Sequence, residues 1–434
     1  MTIFIVALIF IIGSIVIFLP FLGVVFTATS LQVVDILPEI PIFSSIIPLI
    51  GVFTLAGFLI SLKKNNKTIH KFTALHYFGI FFVLWLFISN PEAAWYGRDR
   101  NWIFTYFQLL VLAFLTGELL NTPHKHRIFF WIFSSASAIS AIIAFQQGYI
   151  GDSISDSIRS SGLAEGANDA ARYFVIALIF FSYLRSNEKK QFPRILATIG
   201  ILITFFGVFF TLSRTGILAL FFAIGLLIIL NRQKKQKNFL ILIFLVSIVS
   251  LFIFSDNIAN IIASIIPTIT SGTDTIGVRY KLWAIGIEMW LDNPIQGVGI
   301  GMYQYRMAYY ADNLPSLYRG AVTHNTYIQI LSEAGIIGLL LFVGMITQTI
   351  RNFLNSRQFL NVQHKNLQNV WLIVFIVILF SGLTKNQSAD KLVWLVMGVS
   401  IYFEHLKLRL EKERSSKKNV PIPIVNQPNV KVLN

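Results

Sequence analysis

The sequence contains no cysteine, and it contains few charged residues for its length. The absence of cysteine excludes disulfides, thiolate metal sites and cysteine nucleophiles. Only 13% of the 434 residues are charged, whereas 55% are apolar. Soluble globular proteins are about 25% charged and about 45–50% apolar, so this composition excludes a soluble enzyme or a soluble nucleic-acid-binding protein.

Long apolar runs fill most of the chain, and a bilayer-spanning helix needs about 20 such residues. The N-terminal run lacks a preceding basic region and is too long for a signal peptide, which predicts a retained first span. We therefore expect an all-α polytopic membrane protein with about twelve transmembrane helices. The predicted spans are residues 3–27, 42–62, 72–89, 102–120, 128–147, 169–185, 195–211, 216–230, 238–255, 328–350, 367–383 and 392–406.

Basic residues are unevenly distributed between these runs. Of the 35 lysines and arginines, 24 lie in alternate connections and in the C-terminal tail, which predicts that these parts and both termini are cytoplasmic. The net charge of +15 then mainly reflects which connections are cytoplasmic. Basic residues on the opposite side oppose the insertion rule and predict acidic partners or an anionic ligand: Arg98, Arg100, Arg159, Arg172, Arg214, Arg279, Lys281, Arg306, Arg319, Lys385 and Lys391.

One long connection, residues 256–327, separates the ninth and tenth predicted spans. It is rich in tryptophan and tyrosine, which favour the membrane interface. Residues 278–292 predict a short amphipathic helix that Asn293 and Pro294 end. We expect a transmembrane domain over residues 1–406, with this segment as one large periplasmic loop, and a basic cytoplasmic tail over residues 407–434.

His324 stands where this loop meets the tenth span, and it is the one histidine in an outward-facing segment. Its ordinary pKa near 6.5 makes it a candidate general base. Asn325, Gln329 and Glu333 follow at helical spacing and form one polar stripe, a set of candidate supporting residues. The alternative is structural, with Asn325 as a helix cap and the other two bonded to neighbouring helices.

Two outward arginines are candidate ligands for an anionic substrate. Arg214 lies in a tight turn within TLSRTG, and Arg279 opens the short loop helix. A guanidinium offers five donors in a planar fork that suits phosphate oxygens. The alternatives are a snorkelling side chain for Arg214, and lipid contact or a salt bridge to Asp274 for Arg279.

Two further segments have weaker signals. The segment from Arg159 to Asp169 leads into the sixth span, and the alternatives for Asn168, Asp169 and Arg172 are that they line a cavity or that they belong to a helix-capping loop. The glycine-rich run 296–301 lacks a Walker lysine and predicts a closely packed turn. No carboxylate cluster with metal spacing is apparent, so we expect neither a metal nor a cofactor.

The stretch 278–342 resembles a known family, the O-antigen ligases and O-antigen polymerases of bacterial inner membranes. The resemblance rests on VRYKLWAIGIEMWLDNPIQGVGIGMYQY and on THNTYIQILSEAGIIGLLLF. Weaker matches occur in TLSRTG and in SGLAEGANDAARYFV, where the family more often has a proline before the asparagine. The twelve spans and the large loop are most similar to the ligase branch.

The resemblance implies transfer of a glycan from undecaprenyl diphosphate to an acceptor hydroxyl at the periplasmic face. The acceptor of a ligase is lipid A–core, and the family's functional positions correspond to Arg214, Arg279 and His324. Other branches of the superfamily use a second lipid-linked glycan, as polymerases do, or protein Ser/Thr, as pilin-modifying oligosaccharyltransferases do. A more distant alternative from the residues themselves is a secondary transporter, whose site would lie at the bilayer midplane rather than at one face.

Overall fold

The computed structural model describes residues 2–33, 46–66, 69–89, 99–150, 160–230, 234–253, 275–310 and 321–418. Within these ranges the regular structure is entirely helical. The α-helices are α1 (Thr2–Phe18), α2 (Phe21–Ser30), α3 (Ile46–Lys64), α4 (Ala74–Ile88), α5 (Asp99–Leu119), α6 (Pro123–Ile150), α7 (Ala167–Asn187), α8 (Gln191–Phe210), α9 (Arg214–Leu230), α10 (Lys234–Ile253), α11 (Thr275–Asp292), α12 (Tyr303–Arg306), α13 (Thr326–Ser356), α14 (Val362–Ser381) and α15 (Lys391–Lys418). A 3-10 turn, Met307–Tyr309, follows α12.

Six helices in the described ranges are long and apolar enough to cross a membrane, and shorter apolar helices accompany them. The six contain the segments Ile47–Lys64, Trp102–Leu119, Pro123–Gln147, Gln191–Phe210, Thr326–Ser356 and Val362–Ser381. These helices are typical of a membrane protein, which agrees with the composition. They do not confirm the expected count of twelve spans.

The first predicted span is wrong as a single helix. Residues 3–27 are divided between α1, which ends at Phe18, and α2, which begins at Phe21. Pro20 lies between them, and its ring blocks the backbone of a continuous helix and removes one amide donor.

The centre of the bundle is α7, whose residues from Ala170 to Tyr183 are all buried. It packs against α6, α8, α9 and α14. Helix α15 is also buried over its first half, where Trp394 is fully enclosed. Because both helices are surrounded on all sides, a polar or charged residue near their ends must find its partner inside the protein.

Ion pairs lie at both ends of the bundle. At one end, Arg127 of α6 contacts Glu188 just after α7, with its Nε 2.5 Å from the carboxylate. The predicted cytoplasmic basic residues of this region lie here. At the other end lie the α8–α9 turn, the beginning of α13 and the connection 382–390 between α14 and α15, and these segments form the candidate site.

Candidate functional site

The beginning of α13 is fixed by a side-chain cap. The Asn325 backbone is extended, and its Oδ1 accepts the backbone N–H groups of Tyr327 at 2.9 Å and Ile328 at 3.1 Å. These two donors would otherwise have no partner in the first turn of the helix. The predicted cap is confirmed, and it leaves His324 immediately outside the helix.

The connection 382–390 holds this helix end in place. The Asn386 Oδ1 accepts hydrogen bonds from the Thr323 hydroxyl at 2.8 Å and from the Asn325 backbone N–H at 2.9 Å. The Thr326 hydroxyl donates to the Lys385 carbonyl at 2.7 Å. His324 is thus held between two residues whose backbone positions are both determined by the same connection.

His324 itself has a left-handed backbone, with φ at 51°. A non-glycine residue in this region is uncommon, and such strain costs about 1–3 kcal/mol and tends to occur at functional sites. The imidazole is partly buried, and it makes no hydrogen bond to any described residue. Burial, and then the positive charges of Arg279 and Lys385, lower the pKa of His324 below its ordinary value of 6.5. The ring is therefore neutral near pH 7.

Arg279 approaches His324 because α11 docks beside α13. The Trp283 indole N–H donates to the Thr323 carbonyl at 2.9 Å. Gly286 allows close approach, since a Cβ there would lie 2.7 Å from a methyl carbon of Ile328. Arg279 is one helical turn before Trp283 and so lies on the same face of α11.

A break inside α13 anchors the glycine-rich turn. Gly335 has φ at 66° and interrupts the helix, which frees carbonyl groups that a continuous helix would use. The Ser332 carbonyl instead accepts the Val298 N–H at 2.8 Å, and the Glu333 carbonyl accepts the Gly299 N–H at 2.9 Å. The prediction that residues 296–301 form a closely packed turn is confirmed. These bonds attach the extramembrane segment to the helix that begins beside His324.

The remaining members of the predicted polar stripe have structural partners. The Glu333 carboxylate accepts the Tyr303 backbone N–H at 3.2 Å, and the Gln329 side chain accepts the Ser388 hydroxyl at 3.3 Å. Both residues are buried. Together with the Asn325 cap, these contacts match the structural interpretation of the stripe: Gln329 and Glu333 connect α13 to neighbouring segments.

Arg214 begins α9 after a tight turn, and its side chain is exposed. Leu212 in this turn has φ at 49°, a second left-handed non-glycine residue beside a candidate residue. The Ser213 hydroxyl accepts the Gly216 N–H at 3.1 Å and donates to the Asn168 Oδ1 at 2.7 Å. Asn168 therefore supports the turn that presents Arg214. Arg159 lies outside the described residues.

A charge cluster lies beside this turn, and Asp390 is the member of it that the sequence did not identify. Asp169 and Asp390 flank Arg172, with Arg172 Nη2 3.1 Å from Asp169 and 2.6 Å from Asp390. Lys385 also contacts Asp169. Burial alone would raise the pKa of Asp390, but the Arg172 guanidinium outweighs it and holds that pKa below its ordinary value. Arg172 and Lys385 were identifiable as basic residues against the insertion rule, and acidic partners do accompany both.

A cleft lies beside the turn that presents Arg214. It is lined by residues of α7, α9 and the connection after α14: Asn168, Arg172, Thr215, Gly216, Thr384 and Lys385. The Thr384 and Thr215 hydroxyls are 3.5 Å apart. Lys385 belongs both to this cleft, beside the Arg214 turn, and to the surroundings of His324. Lys385, which was not a predicted site residue, thus lines the cleft with Asn168 and also lowers the pKa of His324.

Residues 199–343 match the sequence model of the O-antigen ligase family. Over this segment the chain is similar to the O-antigen ligase superfamily. The match confirms the resemblance found in the sequence, and it indicates a glycosyltransferase-like enzyme that acts on glycan donors and acceptors of the O-antigen ligase or polymerase type. No curated protein matches the chain.

The O-antigen ligase segment contains Arg214, Arg279 and His324. It excludes the connection 382–390 and the acidic residues Asp169 and Asp390, which lie before and after it in the chain. Asn386, which accepts hydrogen bonds from Thr323 and Asn325 on either side of His324, therefore lies outside the matched segment.

Proposed function

We propose that this protein is an O-antigen ligase of lipopolysaccharide biosynthesis. It transfers a glycan from undecaprenyl diphosphate to a hydroxyl of lipid A–core at the periplasmic face of the bacterial inner membrane. The observation that carries the proposal is that one family match of 145 residues includes Arg214, Arg279 and His324. The fold supports it by bringing the charges of Arg279 and Lys385 to His324.

The two arginines hold the diphosphate of the donor. A diphosphate is a good leaving group once its growing negative charge is neutralised, and bidentate guanidinium contacts supply that neutralisation. Arg214 is exposed at the beginning of α9, a helix end whose dipole also favours an anion. Lys385 adds a positive charge near His324, although Asp169 offsets part of it.

His324 acts as the general base. The acceptor hydroxyl attacks the anomeric carbon, its proton passes to the imidazole, and the bond from that carbon to the diphosphate oxygen breaks. This single displacement inverts the anomeric centre and requires no metal or other cofactor. Proton removal of this kind contributes typically 10²–10⁴-fold to a rate. The lowered pKa of His324 supports the role, because it keeps the ring able to accept a proton at neutral pH.

The proposed orientation places the candidate site in the periplasm and both termini in the cytoplasm. Residues 1–406 form the transmembrane domain, with a periplasmic loop over residues 256–327. The uneven distribution of basic residues supports this orientation. Helix α15 continues beyond residue 406 to Lys418, so the proposed cytoplasmic tail begins as a helical extension.

Two linked experiments test the acceptor and the reaction. In a deletion strain, loss of long-chain lipopolysaccharide with polymer accumulating on undecaprenyl diphosphate is the expected result. Core that carries a single repeat would indicate a polymerase instead, and unglycosylated pilin would indicate a protein-directed transferase.

With the purified chain in proteoliposomes, a labelled lipid-linked donor should transfer its glycan to lipid A–core. Solute uptake without any glycan transfer would contradict the proposal and favour a transporter. The His324→Gln variant should lose transfer in this assay. The His124→Gln variant is its matched control, because His124 is an exposed imidazole at the other end of the bundle.

A further inference from the structure

Three potential metal ligands meet at the end of the bundle opposite the candidate active site. His70 precedes α4, Glu118 lies in the last turn of α5, and His405 lies in the second half of α15. One ligand atom from each residue lies within 4.8 Å of the others. Fifteen residues of chain separate Asp390 from His405, so at 1.5 Å per helical residue this cluster is roughly 20 Å from the charge cluster.

Glu118 provides a buried carboxylate at this place. Its side chain is only 7% exposed, and among the described residues it pairs with His70 rather than with a lysine or an arginine. Its Oε2 lies 2.8 Å from the His70 Nδ1, and its Oε1 accepts the His70 backbone N–H at 3.3 Å. A buried carboxylate needs a positive partner, and a divalent metal ion would supply that charge.

The orientation of the His405 ring leaves one of its two nitrogens without a hydrogen-bond partner among the described residues. Its Nε2 lies 3.1 Å from the Lys71 carbonyl, which accepts only from a protonated nitrogen. In the neutral ring, this contact leaves a lone pair on Nδ1. That atom is buried and has no hydrogen-bond partner among the described residues. A histidine whose second nitrogen donates to a backbone carbonyl is the usual arrangement of a metal ligand.

We propose that His70, Glu118 and His405 bind one divalent transition-metal ion of the Zn²⁺ class. Two imidazoles and one carboxylate are a known zinc ligand set that leaves a fourth position for water. Zinc–ligand distances of about 2.0–2.1 Å require ligand atoms to be roughly 3.3 Å apart, so the side chains must close slightly. The His70 side chain is 51% exposed and can make this movement.

The ion would join three segments that are distant in sequence. It would connect the residues before α4, the end of α5 and the outer part of α15. The His70 and His405 rings stack, with centroids 4.5 Å apart and ring planes 18° apart, so the half-exposed His70 ring must rotate until the lone pairs of both rings converge on the ion. The role is structural, because the ion would be far from His324 and take no part in glycan transfer.

Zinc binding by the full chain tests the proposal directly. The protein is purified in detergent through a tag without histidines, stripped with a chelator, and titrated with Zn²⁺ by calorimetry and by thermal unfolding. We expect one Zn²⁺ per chain and a melting temperature that rises with Zn²⁺. His405→Gln and Glu118→Gln should each weaken binding by at least about tenfold, because each removes a ligand. His124→Gln should bind Zn²⁺ as the wild type does.

Should Glu118→Gln fail to fold, His70→Gln replaces it, because His70 is half exposed and tolerates substitution. Chelation should lower the melting temperature of the wild type without abolishing glycan transfer. Equal Zn²⁺ affinity in the wild type and in His405→Gln would overturn the proposal. So would a melting temperature that Zn²⁺ leaves unchanged, which would indicate that the cluster is only a His70–Glu118 hydrogen bond.

Discussion

Replacement of Asp390 by asparagine should destabilise the protein far more than a surface substitution. Asp390 and Asp169 balance the positive charges of Arg172 and Lys385 in one cluster. The Arg172 side chain is 4% exposed and that of Asp390 13% exposed, so solvent does little to screen the pair. Asp390→Asn leaves a net positive charge enclosed within the bundle.

Loss of one partner from a buried ion pair costs about 3–5 kcal/mol. Arg172 keeps its 3.1 Å contact with Asp169, so we expect the lower end, about 3 kcal/mol of the unfolding free energy. The measurement is denaturant unfolding in detergent, followed by tryptophan fluorescence. The matched control is Asp292→Asn, because Asp292 is exposed and should change stability by no more than about 0.5 kcal/mol.

A double variant separates the charge from the packing. Arg172→Met with Asp390→Leu removes both charges and leaves Asp169 paired with Lys385, so it should recover most of the lost stability. The folded-state pKa of Asp390 is below its unfolded value of 3.8, so its stabilisation is present above pH 3.8 and disappears as pH falls through the lower folded value. An Asp390→Asn protein as stable as Asp292→Asn would refute this reasoning.

Three further predictions concern the site. Gly335→Ala should lower the free energy of unfolding by about 1–3 kcal/mol and reduce transfer. The φ of Gly335 is 66°, and a Cβ there would lie 2.1 Å from the Ile295 carbonyl oxygen. Gly225→Ala is the control for both assays, because Gly225 has open space around it. Arg214→Lys and Arg279→Lys should each slow transfer roughly ten- to hundredfold, since one charge-assisted hydrogen bond is worth about 1.5–3 kcal/mol. Wild-type rates in both variants would contradict the role of these arginines as diphosphate ligands. An equal loss in Arg351→Lys, a substitution of an exposed arginine, would contradict it as well. The rate of transfer should decline only below pH 6.5. Lys385→Gln should move that decline to higher pH, because it removes a positive charge that lowers the pKa of His324. An unchanged profile would count against the interaction between Lys385 and His324.

Much of the local structure at the site was predictable from the sequence. The Asn325 cap, the stop after Asp292 and the glycine-rich turn all follow from backbone preferences within a few residues. The apolar runs likewise predict helices, since their composition leaves no other way to satisfy backbone groups in a membrane. These features depend on local chemistry alone.

The features that join the site together depend on long-range contacts. Gly335 lies in a sequence that also suits a continuous helix, and its break requires the turn near Val298 to supply replacement donors. The connection 382–390 follows the last candidate residue by about fifty positions, and nothing local marks Asn386 as the partner of Asn325. Lys385 was recognisable only as a basic residue on the unexpected side.

The most direct measurement is the turnover of purified His324→Gln protein with a lipid-linked donor and lipid A–core. Glutamine can accept a hydrogen bond but cannot take up a proton near pH 7, so transfer should fall by at least about a hundredfold. Donor binding should stay near the wild-type level, because the arginines hold the diphosphate, and His124→Gln should remain fully active. A well-folded His324→Gln protein with near-normal turnover would contradict the assignment of His324 as the general base.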